Sequence, residues 1–153
     1  MTKTQSFCEP GELLETFGLG KFINHYPHQL SGGMQQRVSI ACAMVHDPKV
    51  LLLDEPFGAL DEFTRESMGE WLSKILSQNP KTVIFVTHSV EEAVLLSDRI
   101  ILMTPRPGTI YSQICVDLGK PRARVLKTEA QYSEAVVQVR RILYELIENG
   151  GNS

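Results

Sequence analysis

Asp54 and Glu55 are adjacent carboxylates that close an apolar run, Val50-Leu51-Leu52-Leu53, and Pro56 stops the chain directly behind them. In open α/β sheets, ligands bind beyond the C-terminal ends of the strands, which is where this spacing puts both acids. Successive strand side chains diverge, so the two can do different work. One suits Mg²⁺, a hard cation that prefers oxygen and water ligands. The other can orient a water for attack on a phosphoryl group. The competing reading is an ordinary strand-to-turn junction with solvated acids.

Two further constellations point at an anion. Leu30-Ser31-Gly32-Gly33-Met34-Gln35-Gln36-Arg37 places a hydroxyl and two glycines at a predicted helix start. Free N–H groups, the positive end of the helix dipole and no obstructing side chains make that a phosphate site. A serine N-cap followed by a flexible glycine pair accounts for the same residues without a ligand. His88 directly follows a buried apolar run and precedes Ser89-Val90-Glu91-Glu92, a capping box with Ser at N-cap and Glu at N3. A ligand beyond the strand or a backbone partner at the core edge would each explain a histidine there.

The elements that must position these residues alternate. A short helix is predicted from Gly11 to Phe22 with Leu13, Leu14 and Phe17 on one side, broken at Gly18-Leu19-Gly20. The next helix runs from Gly32 to His46, with Met34, Val38, Ala41, Cys42 and Val45 on its inner face. Val50 to Leu53 reads as a strand covered on both faces. A helix from Glu62 to Gln78 turns Phe63, Trp71, Leu72, Ile75 and Leu76 inward, and Asn79-Pro80 ends it. Strands are predicted at Thr82–Thr87, Arg99–Met103 and Thr109–Asp117, and an amphipathic helix at Ala130–Glu148 carries a stripe of Tyr132, Val136, Val139, Leu143 and Leu146. Strand–helix alternation with buried strands is an α/β pattern with a mostly parallel sheet.

At 153 residues the chain has the length of one domain that can bury a real core. Its formal charge of −3 argues against a nucleic-acid partner, which would need an excess of Lys and Arg. Cys8, Cys42 and Cys115 are far apart and form no C-x-x-C pair, so neither a zinc site nor a disulfide framework is expected. His25 and His28 flank Tyr26-Pro27 without carboxylate or thiol company and read as loop residues. No signal peptide is expected, and no apolar run approaches the ~20 residues that cross a bilayer. Lys120, Arg122, Arg124 and Lys127 read as a solvated basic linker.

Taken together, Leu30 to Arg37, Val50 to Pro56, Gly58-Ala59-Leu60-Asp61 and Val86-Thr87-His88 closely resemble, in order and interval, the nucleotide-binding subunits of ABC transporters. The resemblance covers about Glu12 to Asp117 and implies a P-loop NTPase-like fold, of which this chain carries the later part. It implies ATP and Mg²⁺ as cofactors. Ser31, Gly32, Gly33 and Gln35 match the signature that contacts the γ-phosphate held by the opposite subunit of a head-to-tail dimer. Asp54 matches the Walker B aspartate that positions Mg²⁺ through water, and Glu55 the catalytic glutamate. Asp61 matches the end of the D-loop and His88 the switch histidine. Phe57, Thr87 to Ala93 and Met103 to Gly108 look most like importers of the nitrate, sulfonate and taurine type. Cys42 stands where those proteins commonly have arginine, which removes a charge from the helix after the signature. Implied partners are a second ATPase subunit and transmembrane permease subunits, which would hold the protein on the cytoplasmic face of the membrane.

The resemblance is incomplete in one respect. A phosphate-binding loop needs G-x-x-x-x-G-K-[ST]. Gly18-Leu19-Gly20-Lys21 is followed by Phe22, and Glu15 occupies the position of the first glycine, so the pattern fails twice. The domain plan expected is a loose N-terminus (1–11), part of a helical subdomain with part of a catalytic core (12–118), and a linker with a C-terminal helix (119–153). In the family, the strand leading into the phosphate loop lies between the strands ending at His88 and starting at Arg99. Two apolar edges are therefore expected to lack their neighbour, which implies either a partner segment supplying the missing strand or a marginal fold. Three readings stay open: an importer ATPase subunit represented in part, a split protein whose other portion carries the loop, and a non-catalytic module that completes a partner's ATP site.

Overall fold

The computed structural model describes residues 9–119, 122 and 127–150, with side chains up to residue 148. The loose segment expected at 1–11 therefore lies mostly outside the described residues, as do Lys120 and Arg124 of the basic cluster. The chain divides into two compact units. The first comprises the described residues up to Met68 together with Gln78–Val86, and the second comprises Gly69–Ser77 and those from Thr87 onward.

In the first unit, α1 (Pro10–Thr16) starts on Pro10, whose fixed φ and missing N–H suit a first helical turn. It stops where Gly18 takes a φ of +72°, a left-handed conformation natural to glycine. Short 3₁₀ turns at Gly20–Phe22 and Pro27–Gln29 lead to α2 (Gly32–Met44). β1 (Val50–Asp54) and β2 (Thr82–Val86) form a parallel pair, with Val50 opposite Thr82, Leu52 opposite Ile84 and Asp54 opposite Val86. Parallel strands need a crossover, and the chain between them forms α3 (Glu62–Gln78), of which Gly69–Ser77 belong to the second unit.

Two inward faces differ from the predicted ones. On α2 the buried residues are Ile40, Ala41 and Met44, while Cys42 is exposed. The spacing of Ile40 and Met44, one turn apart, defines the core stripe better than the Met34–Val38–Cys42 row. On α3, Phe63 is 68% exposed, and Met68, Leu72 and Ile75 fill the inner positions. Phe63 sits in the first turn, ahead of the stretch that meets the core.

The second unit contains α4 (Val90–Leu96), an antiparallel pair of β3 (Arg99–Met103) and β4 (Ile110–Cys115), and α5 (Ala130–Gly150). Thr104 closes the β3–β4 connection, accepting from the Thr109 N–H at 2.9 Å and donating to the Pro107 carbonyl at 3.0 Å. Val94, Leu95, Ile100, Ile114, Val116, Leu118, Tyr132, Val136 and Val139 make one core. The predicted α5 stripe is thus the face that packs, and burying each such aliphatic side chain stabilises by about 1.5–3 kcal/mol.

Arg122 departs most from a solvated linker. It is only 2% exposed, and its guanidinium donates to the carbonyls of Leu118, Val116, Val94 and Ser97 and to the Asp98 carboxylate. Burial pulls its pKa down, opposed by the charges of Asp98 and Asp117. A planar five-donor fork can serve that many acceptors at once, which is why the position carries Arg.

The predicted α/β class is the observed one. The strands form two separate two-stranded sheets, β1–β2 and β3–β4. Among the described residues β2 pairs only with β1, and β3 only with β4. Leu52 and Ile84, opposite each other, are 68% and 54% exposed, and Val50, Val86, Ile101 and Met103 are also exposed. These strands carry apolar side chains suited to cover on both faces, and one face of each has none here.

Candidate functional site

Asp54 is the last residue of β1, with its side chain exposed. Glu55, also exposed, continues the ladder for one bond, its N–H donating to the Val86 carbonyl at 2.9 Å. It then turns sharply with a φ of +44°. A non-glycine residue in the left-handed region costs about 1–2 kcal/mol and persists only where the surroundings impose it. Three features impose it here. Gly58 N–H donates to the Glu55 carbonyl at 3.1 Å, Leu60 N–H to the Phe57 carbonyl at 3.1 Å, and the fully buried Phe57 ring packs 5.7 Å from that of Phe85. The glutamate side chain lies over Gly58, where an added β-carbon would stand 3.8 Å from both Glu55 Cβ and Oε2.

Ser31 is the N-cap of α2, its hydroxyl oxygen accepting the Met34 N–H at 3.3 Å. Gln35 donates its side-chain amide to the carbonyls of Pro27 and Leu30, at 2.8 and 3.1 Å, which ties the preceding loop to the helix. The glycine pair meets the segment after Phe57. A β-carbon on Gly32 would stand 3.3 Å from Leu60 Cδ2, and one on Gly33 3.0 Å from Thr64 Cγ2. Asp61 in turn caps α3 by accepting the Thr64 N–H at 3.0 Å. Hydrogen bonds from Thr64, side chain first and then backbone, hold the Asp61 carboxyl below the usual carboxylate range. The structure therefore brings the Ser31–Gly33 segment together with the segment that Asp61 caps. The small size of Gly32 and Gly33, which in the sequence points to a ligand, also permits this close approach, a contact that no local pattern announces.

His88 belongs to the second unit and is exposed. Thr87 Oγ1 accepts the Ser89 N–H at 3.0 Å and donates to the Glu92 carboxylate at 2.7 Å, so His88 sits inside a closed turn. Ser89 caps α4 by accepting the Glu92 N–H at 3.3 Å. The predicted capping box forms with a relay: Glu92 reaches the Ser89 N–H through the Thr87 hydroxyl. Thr87 and Phe57 are the two residues of these turns to which sequence reasoning had given no separate role. A hydroxyl two residues before an N-cap serine was the available signal for the first.

Among the described residues no cluster of three or more His, Cys, Asp or Glu is arranged to hold a metal. A lone exposed carboxylate such as Asp54 still fits Mg²⁺, which keeps most of its waters and takes one or two carboxylates plus phosphate oxygens. A shallow hollow of about 470 Å³ between Asp47–Lys49 and Pro80–Thr82 lies at the other end of the β1–β2 pair, away from both acids.

The first unit is thus an α/β arrangement with two exposed, adjacent carboxylates at the C-terminal end of β1. Residues 4–58 match the family described as ABC transporter. The chain is 44% identical to the taurine import ATP-binding protein TauB of Rhizobium johnstonii, over 87% of its length and 53% of that protein's. It is 45% identical to the aliphatic sulfonates import ATP-binding protein SsuB of Bacillus cereus, over 92% of its length and 53% of that protein's. An ABC transporter ATP-binding protein of Methanocaldococcus jannaschii is 46% identical over 84% of this chain and 48% of its own length. One chain of a solved ABC transporter, described as metal-chelate type and inward-facing, superposes with a TM-score of 0.58 at 26% identity, over 67% of this chain and 41% of that one. The chain belongs to the ABC transporter ATP-binding family, and it spans about half the length of the curated relatives it matches.

Proposed function

We propose that this chain is part of the ATP-hydrolysing subunit of an ABC importer, coupling ATP hydrolysis to uptake of a small solute such as nitrate, a sulfonate or taurine. The observation that carries the reading is Glu55. It is an exposed carboxylate just past a strand end, in a left-handed backbone held by Phe57 and Gly58. In this reading Glu55 polarises the attacking water and Asp54 orients Mg²⁺ through its waters. The ion supplies charge neutralisation for the phosphates when bound. Ser31, Gly32, Gly33 and Gln35 serve the γ-phosphate of a nucleotide gripped by a second ATPase subunit, with Asp61 beside them, and His88 contacts the γ-phosphate of its own side. Permease subunits in the membrane are the coupling partners and would place the protein on the cytoplasmic face. No helix among the described residues is long and apolar enough to cross a bilayer itself.

Phosphoryl transfer depends on positioning and charge stabilisation, so water activation gains little when nothing grips the nucleotide. A segment carrying the phosphate loop is the partner that the exposed faces of Leu52 and Ile84 and the unpaired edge of β2 suit. A second reading is a module that completes only a partner's ATP site, through the Ser31–Gln35 segment at the start of α2.

ATP turnover of the purified chain, alone and mixed with a segment bearing the phosphate loop, tests both. The expected result is background hydrolysis alone, and turnover in the mixture that Glu55→Gln abolishes. Turnover in the mixture that survives Glu55→Gln but is lost with Ser31→Arg selects the module. Robust hydrolysis by the chain alone, abolished by Glu55→Gln, overturns the need for a second segment.

A further inference from the structure

The turn carrying His88 is tied to the C-terminal helix. Glu91, in the first turn of α4, is the link. One carboxylate oxygen takes an ion pair from Arg140 of α5, and the other accepts the Ser89 hydroxyl at 3.4 Å. The Glu91 carbonyl accepts the Tyr132 hydroxyl, also of α5, at 3.2 Å. Ser89 passes the constraint on, because its oxygen caps the Glu92 N–H and its own N–H is held by Thr87 Oγ1. Thr87 closes the circuit on the Glu92 carboxylate. The peptide between His88 and Ser89 is therefore bonded, through Thr87 Oγ1, into a network that reaches α5 by way of Ser89 and Glu91. Tyr132 is buried in the unit's core, so the anchor is fixed.

We infer that α5 is a positioning element for the His88 turn, acting through Arg140 and Tyr132 on Glu91. This rests on the reading in which His88 works on the nucleotide. Arg140 and Tyr132 touch no reacting atom in it. They determine how long the turn holds one geometry. The two links are chemically distinct: the half-exposed ion pair orients the Glu91 carboxylate, and the buried phenol holds the peptide behind it. A helix merely packed against α4 would need only its apolar stripe. A polar row aimed at the first turn of α4 fixes rotation and register as well.

The test is amide hydrogen exchange and the His88 ring NMR signals of the 153-residue chain complemented with a segment bearing the phosphate loop, at constant pH, for the parent and for Arg140→Met, Tyr132→Phe, the double variant and Arg140→Lys. Losing the half-exposed ion pair should speed exchange at Ser89 to Ala93 by about fivefold at most, with a larger effect in the double variant. The His88 ring signals should shift or broaden in the double variant, β3–β4 exchange should stay at parental rates, and Arg140→Lys should restore most of the effect. Unchanged His88 signals in the double variant overturn the inference. So does exchange that accelerates equally across β3 and β4, which would mean ordinary loss of stability. The nucleotide reading fails separately, on ATP turnover of the complemented chain that His88→Ala leaves intact.

Discussion

Gly33 approaches Thr64 so closely that a β-carbon on the glycine would lie 3.0 Å from the threonine methyl. Thr64 is a β-branched residue in the first turn of α3, with its backbone N–H bonded to the Asp61 carboxylate, so its methyl has little rotamer freedom to give way. Gly33→Ala should therefore destabilise the chain by about 1–2 kcal/mol through overpacking, despite the better helix propensity of alanine. Gly11, in the first turn of α1 with open space around it, is the control. Gly11→Ala should be neutral or stabilising by a few tenths of a kcal/mol, about what relief of glycine's backbone entropy gives. Urea midpoints of the two variants measure the contrast, and equal losses would dismiss the close approach.

Glu55 supplies a second comparison. Its left-handed φ of +44° penalises any side chain except hydrogen. Glu55→Gly should be more stable than Glu55→Ala by about 1 kcal/mol, while neither supports turnover in the complemented assembly. A larger stability for the alanine variant would show that the turn is not strained.

Arg122 should be the most sensitive cation in the described chain. Arg122→Met leaves the buried carbonyls of Val94, Val116 and Leu118 without their donor, a loss of about 3–5 kcal/mol. Arg122→Lys should recover little, because an ammonium cannot span the same fork of acceptors. Thermal melts of both variants decide the matter: near-parental stability of Arg122→Met would mean that Arg122 is a solvated linker residue, and of Arg122→Lys that the fork geometry is not needed.

Leu52 and Ile84 are cross-strand partners on an exposed face beside an unpaired edge. Such an edge is a template for association. The chain alone should bind a hydrophobic dye and self-associate at micromolar concentration. A Leu52→Glu, Ile84→Lys pair should reduce both while keeping the β1–β2 ladder. Light scattering that is low in the parent, or undiminished in the pair, would remove the association claim.

Much of the site was legible before folding because its residues sit at punctuation marks. Asp54 and Glu55 end a run whose length and composition specify a strand, and Ser31 and Ser89 stand where helix caps are required by chemistry. The amphipathic stripe of α5 was readable for a related reason, since a period of 3.6 leaves Tyr132, Val136 and Val139 on one side wherever the helix docks. Phe63 was not readable: helical periodicity cannot say which turn of a long helix meets the core. Nor was the relay through Thr87, because whether a hydroxyl bonds backward or forward depends on the path of the turn.

By itself the sequence determined which chemistry is on offer: two carboxylates at a strand end, a capped glycine-rich helix start, a histidine before a capped helix, and the family to which they belong. Only the tertiary structure decided that Gly32 and Gly33 seat one helix against another, that Arg122 is a buried clasp, and that α5 reaches the His88 turn through Glu91. The reason is the range of the forces involved. Caps, strand ends and periodicity are local and follow from neighbouring residues, whereas close approach, burial of a charge and a bond between residues 49 apart exist only once distant segments have met.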